Sequence, residues 1–120
     1  MRSFIIASAL ISAALVAGAA AAPAPQGDPV KGKANLLKYG CYTCHGYEGQ
    51  GAGATGKKLA PNPLPYAAFS AFVRNTDRDM PPFTEKVLPE QDLIDIHAYF
   101  RSIPASPNPA NIQLLKDIGG

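Results

Sequence analysis

The pattern of apolar and polar positions predicts helices separated by long loops, and no segment alternates as a half-buried strand would. The first helix should have Asp28 as its cap and Pro29 at its first position. It should end near Tyr39, because Gly40 readily adopts the left-handed conformation that stops a helix. Apolar residues at helical spacing predict its buried stripe, which consists of Val30, Ala34 and Leu37.

Two more helices are predicted, over residues 65–75 and 90–103, with Pro104 ending the second. Each has an apolar face at helical spacing. The shorter helix presents Phe69, Phe72 and Val73, and the longer one presents Leu93, Ile96, Tyr99, Phe100 and Ile103. Glycines and prolines predict a loop over 46–65, and a short amphipathic turn is expected over 111–118. The expected fold class is therefore all-α.

The chain divides into four segments by composition. We predict a signal peptide at 1–21, a flexible lead-in at 22–27, one folded domain at 28–103 and a proline-rich C-terminal tail at 104–120. A chain of 120 residues has the length of one domain. Its formal net charge of +2 gives no indication of nucleic acid as a partner.

Residues 1–21 have the layout of a secretory signal, with a charged start, an apolar stretch and a small-residue cleavage region ending at Ala21. Cleavage there would leave no membrane span and would place the protein outside the cytoplasm, in the periplasm. The alternative is an uncleaved membrane anchor, because the apolar run approaches the ~17–25 residues that cross a bilayer.

Cys41, Cys44 and His45 form a Cys-x-x-Cys-His segment, which has the spacing of a c-type haem attachment site. Two thiols three residues apart on one helical turn can reach the two vinyl groups on one edge of a porphyrin. The next residue then lies under the ring, where an imidazole nitrogen can bind iron. We therefore predict one covalently bound haem c, with His45 as the proximal ligand.

Three other kinds of site use a cysteine pair. A thioredoxin-like redox pair lies beside a strand–helix–strand pattern, which this sequence lacks. A structural zinc site usually needs four ligands, and beyond the motif only His97 and acidic residues could supply them. A plain disulfide between Cys41 and Cys44 fits an oxidising compartment.

The sixth iron ligand should come from another part of the chain, and Met80 is the expected one. It is the only methionine after the predicted signal peptide, and Pro81 and Pro82 follow it. The prolines restrict the backbone and lower the entropic cost of holding the sulfur at the iron. His97 is the alternative ligand, although a partly buried histidine on the last helix is the more ordinary interpretation.

Together these features resemble the class I c-type cytochromes, which are small mono-haem electron carriers with His/Met ligation. The resemblance covers roughly residues 28–103. It is carried by residues 32–37 before the haem motif, by Gly46, Gly51 and Gly56 after it, and by Met80-Pro81. In the last helix it is carried by Leu93, Ala98, Tyr99, Phe100 and Ile103.

The resemblance implies a cytochrome c fold, in which the first and last helices cross and the haem sits in a crevice between loops. Gly32 and either Leu36 or Leu37 would then meet Tyr99 and Phe100.

The resemblance also assigns roles around the haem. A backbone carbonyl orients the proximal histidine in such proteins, and either Lys57 or Pro61 could supply it here. Tyr66 and Arg74 are the candidates for contacting a haem propionate. Pro89 stands where many relatives have a Ser or Thr cap on the last helix.

Gly51 to Gly56 also match the glycine pattern of dinucleotide-binding loops, and Lys57 extends the likeness to a phosphate loop. Both kinds of loop require a buried strand before the glycines and a helix after them. Neither is predicted here, so nucleotide binding is not expected. We expect the glycines to let backbone pass close to the porphyrin.

The expected function is single-electron transfer between redox proteins outside the cytoplasm, such as a dehydrogenase, an oxidase or another cytochrome, without enzymatic activity. Five lysines either rim an exposed haem edge and steer acidic partners or are scattered and solvated: Lys33, Lys38, Lys57, Lys58 and Lys86. One alternative is a fixed haem-bearing subunit of a dehydrogenase or oxidase complex. The other is a small haem peroxidase or sensor, which needs an open iron site that Met80 would fill.

Overall fold

The computed structural model describes residues 23–118, and these residues form helices and loops without a strand. The helices are α1 (Pro29–Lys38), α2 (Tyr42–His45), α3 (Tyr66–Asn75), α4 (Glu90–Ser102) and α5 (Gln113–Ile118), with a short 3₁₀ helix at Pro109–Asn111 before α5. The predicted all-α class is confirmed. None of the described helices has the length and hydropathy needed to cross a membrane. The predicted signal peptide at 1–21 lies outside the described residues.

Helix α1 begins and ends as the sequence predicts. The Oδ1 atom of Asp28 accepts hydrogen bonds from the backbone N–H groups of Val30 and Lys31, at 2.8 and 3.2 Å. These bonds satisfy two of the donors that the start of a helix leaves unpaired. Just after the helix, Gly40 has a φ of +73°, a conformation that is cheap only for a residue without a Cβ.

The predicted buried stripe of α1 was wrong. The helix buries Gly32 and Leu36, whereas Val30 is 79 % exposed and both Ala34 and Leu37 also face solvent. The prediction followed the larger apolar side chains. The observed face is chosen instead by a glycine, because only a residue without a side chain lets another helix approach this closely.

Helices α1 and α4 pack against each other, as the resemblance implies. At Gly32 an added Cβ would overlap the carbonyl oxygen of Asp95 and lie 2.8 Å from the Cβ of Tyr99. Asp95 is only 3 % exposed, and its Oδ1 accepts hydrogen bonds at 2.9 Å from the Asp28 backbone N–H and from the Gln91 side chain. The start of α1 is therefore bonded to the middle of α4.

The hydrophobic core lies where α1, α3 and α4 meet. Its buried members come from these helices and from two loops: Leu36, Ala60, Phe69, Val73, Leu88, Leu93, Ile96, Tyr99 and Phe100. The predicted face of α4 is confirmed. On α3 the prediction holds for Phe69 and Val73, but Phe72 is exposed. Residues four apart lie on one side of a helix, so α3 meets the core through a single narrow stripe.

The tail after α4 has the form that its sequence predicts. A proline-rich stretch without helix leads into the 3₁₀ helix and α5, so the short amphipathic segment predicted over 111–118 is confirmed. The apolar side chains of Leu114, Leu115 and Ile118 are exposed.

Replacing Gly32 with alanine should lower the free energy of unfolding by about 1–3 kcal/mol, because the added methyl group forces α1 and α4 apart. Guanidinium denaturation followed by circular dichroism measures the change. Lys33→Ala, at an exposed neighbour on the same helix, is the control and should change the value by less than about 0.5 kcal/mol. Helix propensity alone predicts that Gly32→Ala is stabilising, so an increase would contradict the close contact.

Candidate functional site

The haem motif forms one tight turn. Cys41 immediately precedes α2, and Cys44 and His45 lie within it. The backbone N–H of His45 donates to the Cys41 carbonyl at 3.0 Å, and the Thr43 hydroxyl donates to the Gly40 carbonyl at 2.7 Å. The two thiols and the imidazole therefore project from a single helical turn, as the sequence predicts.

The loop that follows orients the ring of His45. Its Nδ1 lies 2.8 Å from the carbonyl oxygen of Lys57. A carbonyl can only accept, so Nδ1 carries the proton and Nε2 keeps a lone pair that can bind a metal. Of the two carbonyls that the sequence left open, the structure selects Lys57 over Pro61.

Gly56 allows this loop to lie directly on the haem motif. A Cβ at Gly56 would overlap the carbonyl oxygen of Cys44. The backbone N–H of Gly51 also donates to the carbonyl of His45 at 2.9 Å, which closes the loop on the same turn. A larger residue at position 56 would push the Lys57 carbonyl away from the imidazole.

Cys41 and Cys44 are not joined by a disulfide in the structure. Cys41 packs against the hydrophobic core, and burial raises the pKa of its thiol, so it is protonated at neutral pH. A reactive thioredoxin-like pair needs a lowered thiol pKa, so this property does not favour that alternative. Within residues 23–118, no three His, Cys, Asp or Glu side chains lie close enough together to hold a metal ion.

Met80 lies in the loop between α3 and α4, where it packs, partly buried, against the hydrophobic core. Hydrogen bonds fix this loop on both sides of it. The Arg78 N–H donates to the Thr76 hydroxyl at 3.2 Å, and the Phe83 N–H donates to the Val73 carbonyl at 2.9 Å. The thioether thus lies in a short tethered segment, and its role as an iron ligand stays a prediction.

His97, the alternative ligand, is engaged elsewhere. It is 2 % exposed, its Nε2 donates to the carbonyl of Leu64 at 2.9 Å, and its ring contacts those of Tyr66 and Phe69. Burial lowers the pKa of His97, so the imidazole is neutral at neutral pH. The structure supports the interpretation of His97 as a buried helix histidine, and it is more deeply buried than the sequence suggested.

Tyr66 and Arg74, the candidates for a propionate contact, both bind Glu90. The Tyr66 hydroxyl donates to Oε1 at 2.5 Å, and Arg74 Nη2 donates to Oε2 at 2.8 Å. Both bonds lower the pKa of Glu90, and the bond from Tyr66 has the larger effect. The buried Nε of Arg74 has no partner among the described residues, so one donor is left for an acceptor such as a carboxylate. The propionate contact itself stays a prediction.

Four of the five lysines that either rim a haem edge or are scattered and solvated extend into solvent: Lys33, Lys57, Lys58 and Lys86. Lys38 instead bonds to Asp92 at 3.3 Å, and its ammonium lies 4.7 Å from the ring centroid of Tyr39. The Tyr39 hydroxyl donates to the same carboxylate at 2.5 Å. Lys38 therefore joins the end of α1 to the start of α4. That the other lysines steer acidic partners stays a prediction.

Sequence reasoning missed the acidic residues of α4, although they make its main polar contacts. Asp95 had a recognisable signal, because it lies between Leu93 and Ile96 on an apolar helix face. Glu90 and Asp92 had none, since acids in the first turn of a helix are common and are explained by the helix dipole.

The chain carries the kinds of side chain that a c-type haem requires. Cys41 and Cys44 offer two thiols for covalent bonds, His45 offers a free Nε2, and Met80 offers a thioether for the iron. Cys41 and Met80 border the same hydrophobic core, although they come from different parts of the chain. The residues present therefore fit the group that the sequence predicts.

Residues 28–100 match a protein-family model described as cytochrome c oxidase, cbb3-type, subunit III. The matched range begins at the cap of α1 and ends within α4, so it includes the haem motif and Met80. No curated protein and no solved structure matches the chain.

Lowering the pH from about 7 to 5 should reduce the free energy of unfolding through His97. Its pKa in the folded protein is below the unfolded value of 6.5, so the unfolded chain takes up the proton first. Stability that is present above pH 6.5 is then lost as the pH falls through the folded pKa. Denaturation at a series of pH values measures the slope. His97→Gln keeps an amide donor for Leu64 and should make the free energy of unfolding depend less on pH. Equal pH dependence in the wild type and the variant would show that another group is responsible.

Proposed function

The chain belongs to the c-type cytochrome family whose model is described as cytochrome c oxidase, cbb3-type, subunit III, and on that premise we propose that it is a mono-haem carrier of single electrons between redox proteins outside the cytoplasm. Membership in this family implies covalently bound haem c and electron transfer. The number of haems, their ligands, the location and the role as a free carrier are the parts that we propose. The observation that carries the proposal is the turn of Cys41, Cys44 and His45 with Nε2 of the imidazole left free by Lys57.

We propose that Cys41 and Cys44 would hold the haem covalently and that His45 and Met80 would bind its iron. When bound, the haem would supply one-electron chemistry, with iron cycling between the ferrous and ferric states. Binding of the iron by two protein side chains would suit electron transfer, since the ligands need not change on reduction.

The chain's own residues would tune this site in three ways. The Lys57 carbonyl accepts the Nδ1 proton, which fixes the ring of His45 and makes it a more basic ligand. The thioether of Met80 favours the reduced iron and raises the potential. The apolar core beside Cys41 and Met80 excludes water, and this also raises the reduction potential.

Substitution of Met80 by alanine should abolish the weak near-infrared sulfur–iron band of the ferric protein and speed cyanide binding, because the sixth position opens. In the wild type and in Met80→Ala the red pigment should stay with the chain in acidic acetone, since two thioethers hold it. His97→Gln is the control and should keep the band. A band that survives in Met80→Ala would exclude Met80 as the ligand, and a pigment that washes out would exclude covalent attachment.

A second candidate is a fixed haem-bearing subunit of a dehydrogenase or oxidase complex. The description of the matched family names an oxidase subunit, and α5 exposes three large apolar side chains after a proline-rich linker. Gel filtration of a native extract separates the two functions: a free carrier elutes at the size of one chain. If the haem instead elutes with a larger assembly, a chain ending at Ile103 tests whether the tail makes the attachment.

Location outside the cytoplasm rests on the signal-like composition of residues 1–21. Mass spectrometry of the purified native protein tests it. A mature chain beginning at Ala22 supports export with cleavage, whereas an intact Met1 supports a retained anchor.

A further inference from the structure

Arg74 on α3 is deeply buried for an arginine, with 12 % of its side chain exposed. Arginine is seldom buried unless it is paired. Its Nη1 donates to the carbonyls of Phe83 at 2.9 Å and Leu88 at 2.6 Å, and its Nη2 donates to Glu90 at 2.8 Å. One side chain therefore holds three points on the segment that runs from the Met80 loop into α4.

The Met80 loop, residues 76–83, depends on this contact for its position. At its start, the Thr76 N–H donates to the Phe72 carbonyl and continues the last turn of α3. At its end, Phe83 is held twice, by its N–H to Val73 and by its carbonyl to Arg74. Between these points Met80 is only partly buried, so packing alone does not fix the loop.

The first turn of α4 carries two acidic residues, and each of them bonds to one tyrosine and one basic side chain. Glu90 binds a tyrosine and Arg74, while Asp92 binds Tyr39 and Lys38. Both acids lie at the start of one helix, so they make a similar interaction with its dipole. Glu90 connects α4 to α3, and through Arg74 to the Met80 loop, whereas Asp92 connects α4 to α1.

We propose that Arg74, held in place by Glu90, is a positioning residue that keeps the Met80 loop closed and sets how readily an external ligand displaces the Met80 sulfur. This rests on the proposed function in one respect, the ligation of iron by Met80. Movement of the end of the loop away from α3 would break two bonds of Phe83, its N–H bond to Val73 and the bond from Arg74 to its carbonyl. Hydrogen bonds from a charged donor are stronger than neutral ones, so their loss should raise the population of the open loop.

Three variants of the haem-loaded protein test this role. Arg74→Lys keeps the charge but lacks the planar fork that reaches two carbonyls and a carboxylate together. Glu90→Gln removes the carboxylate charge that holds Arg74. Asp92→Asn is the matched control, because it removes a carboxylate charge from the same turn of α4, on the side that faces α1. Three quantities are measured for each: the near-infrared sulfur–iron band, the rate of cyanide binding to the ferric protein, and the guanidinium midpoint.

Arg74→Lys and Glu90→Gln should bind cyanide about tenfold faster than the wild type and show a weaker near-infrared band. Asp92→Asn should bind cyanide at the wild-type rate even though its guanidinium midpoint falls. Cyanide rates that follow the midpoint in all three variants would overturn the proposal, because Arg74 would then act only through general stability. If Arg74→Lys does not fold, the comparison of Glu90→Gln with Asp92→Asn decides alone.

Failure of the proposed function would look different from failure of this inference. A wild-type protein without the near-infrared band, whose cyanide binding is unchanged by Met80→Ala, would overturn Met80 ligation and the role of Arg74 together. A wild-type band with unchanged cyanide rates in Arg74→Lys and Glu90→Gln would overturn the role of Arg74 alone.

Discussion

The close contact between α1 and α4 at Gly32 is the constraint on which the other parts of the structure depend. The loops at 46–65 and 76–89 have little regular structure of their own, so their positions come from the helices that they contact. Helix α4 supplies both anchors: His97 binds the Leu64 carbonyl of the first loop, and Glu90 holds the arginine that binds the second. Because Gly32 and Asp95 fix α4 against α1, they indirectly fix both loops.

The two loops are held by different means, and this difference suits their proposed roles. The loop beside His45 is closed by backbone hydrogen bonds and by direct contact of Gly56 with the haem motif. The Met80 loop has backbone bonds at Thr76 and Phe83, and a side chain, that of Arg74, adds a further bond at its end. Backbone contacts change little with sequence, whereas a side-chain contact can be strengthened or weakened by a single substitution. With the ligation proposed for Met80, this is the side on which ligand exchange would be tuned.

Much of the fold and the site could be predicted because the signals are local. Asp28, Gly40 and Pro104 mark helix ends through their own backbone preferences, and the spacing of Cys41, Cys44 and His45 is contained in one turn. The errors concern contacts between distant segments. Gly32 decides which face of α1 is buried, but its importance depends on α4, which lies far along the chain. The choice of Lys57 over Pro61 and the partners of Glu90 likewise depend on three-dimensional proximity, which spacing does not contain.

Pairing the first helix with the last also affects the order of maturation. A chain is synthesised from its N-terminus, so α1 and the turn of His45 are complete well before α4 exists. Contacts between distant segments form late, since the intervening chain must first lose its conformational freedom. Until α4 arrives, the core that borders Cys41 and Met80 cannot close, and the side chain of Cys41 stays accessible. The topology thus leaves a time window in which the thioether bond proposed at Cys41 could be made on an open chain, before the last helix covers that residue.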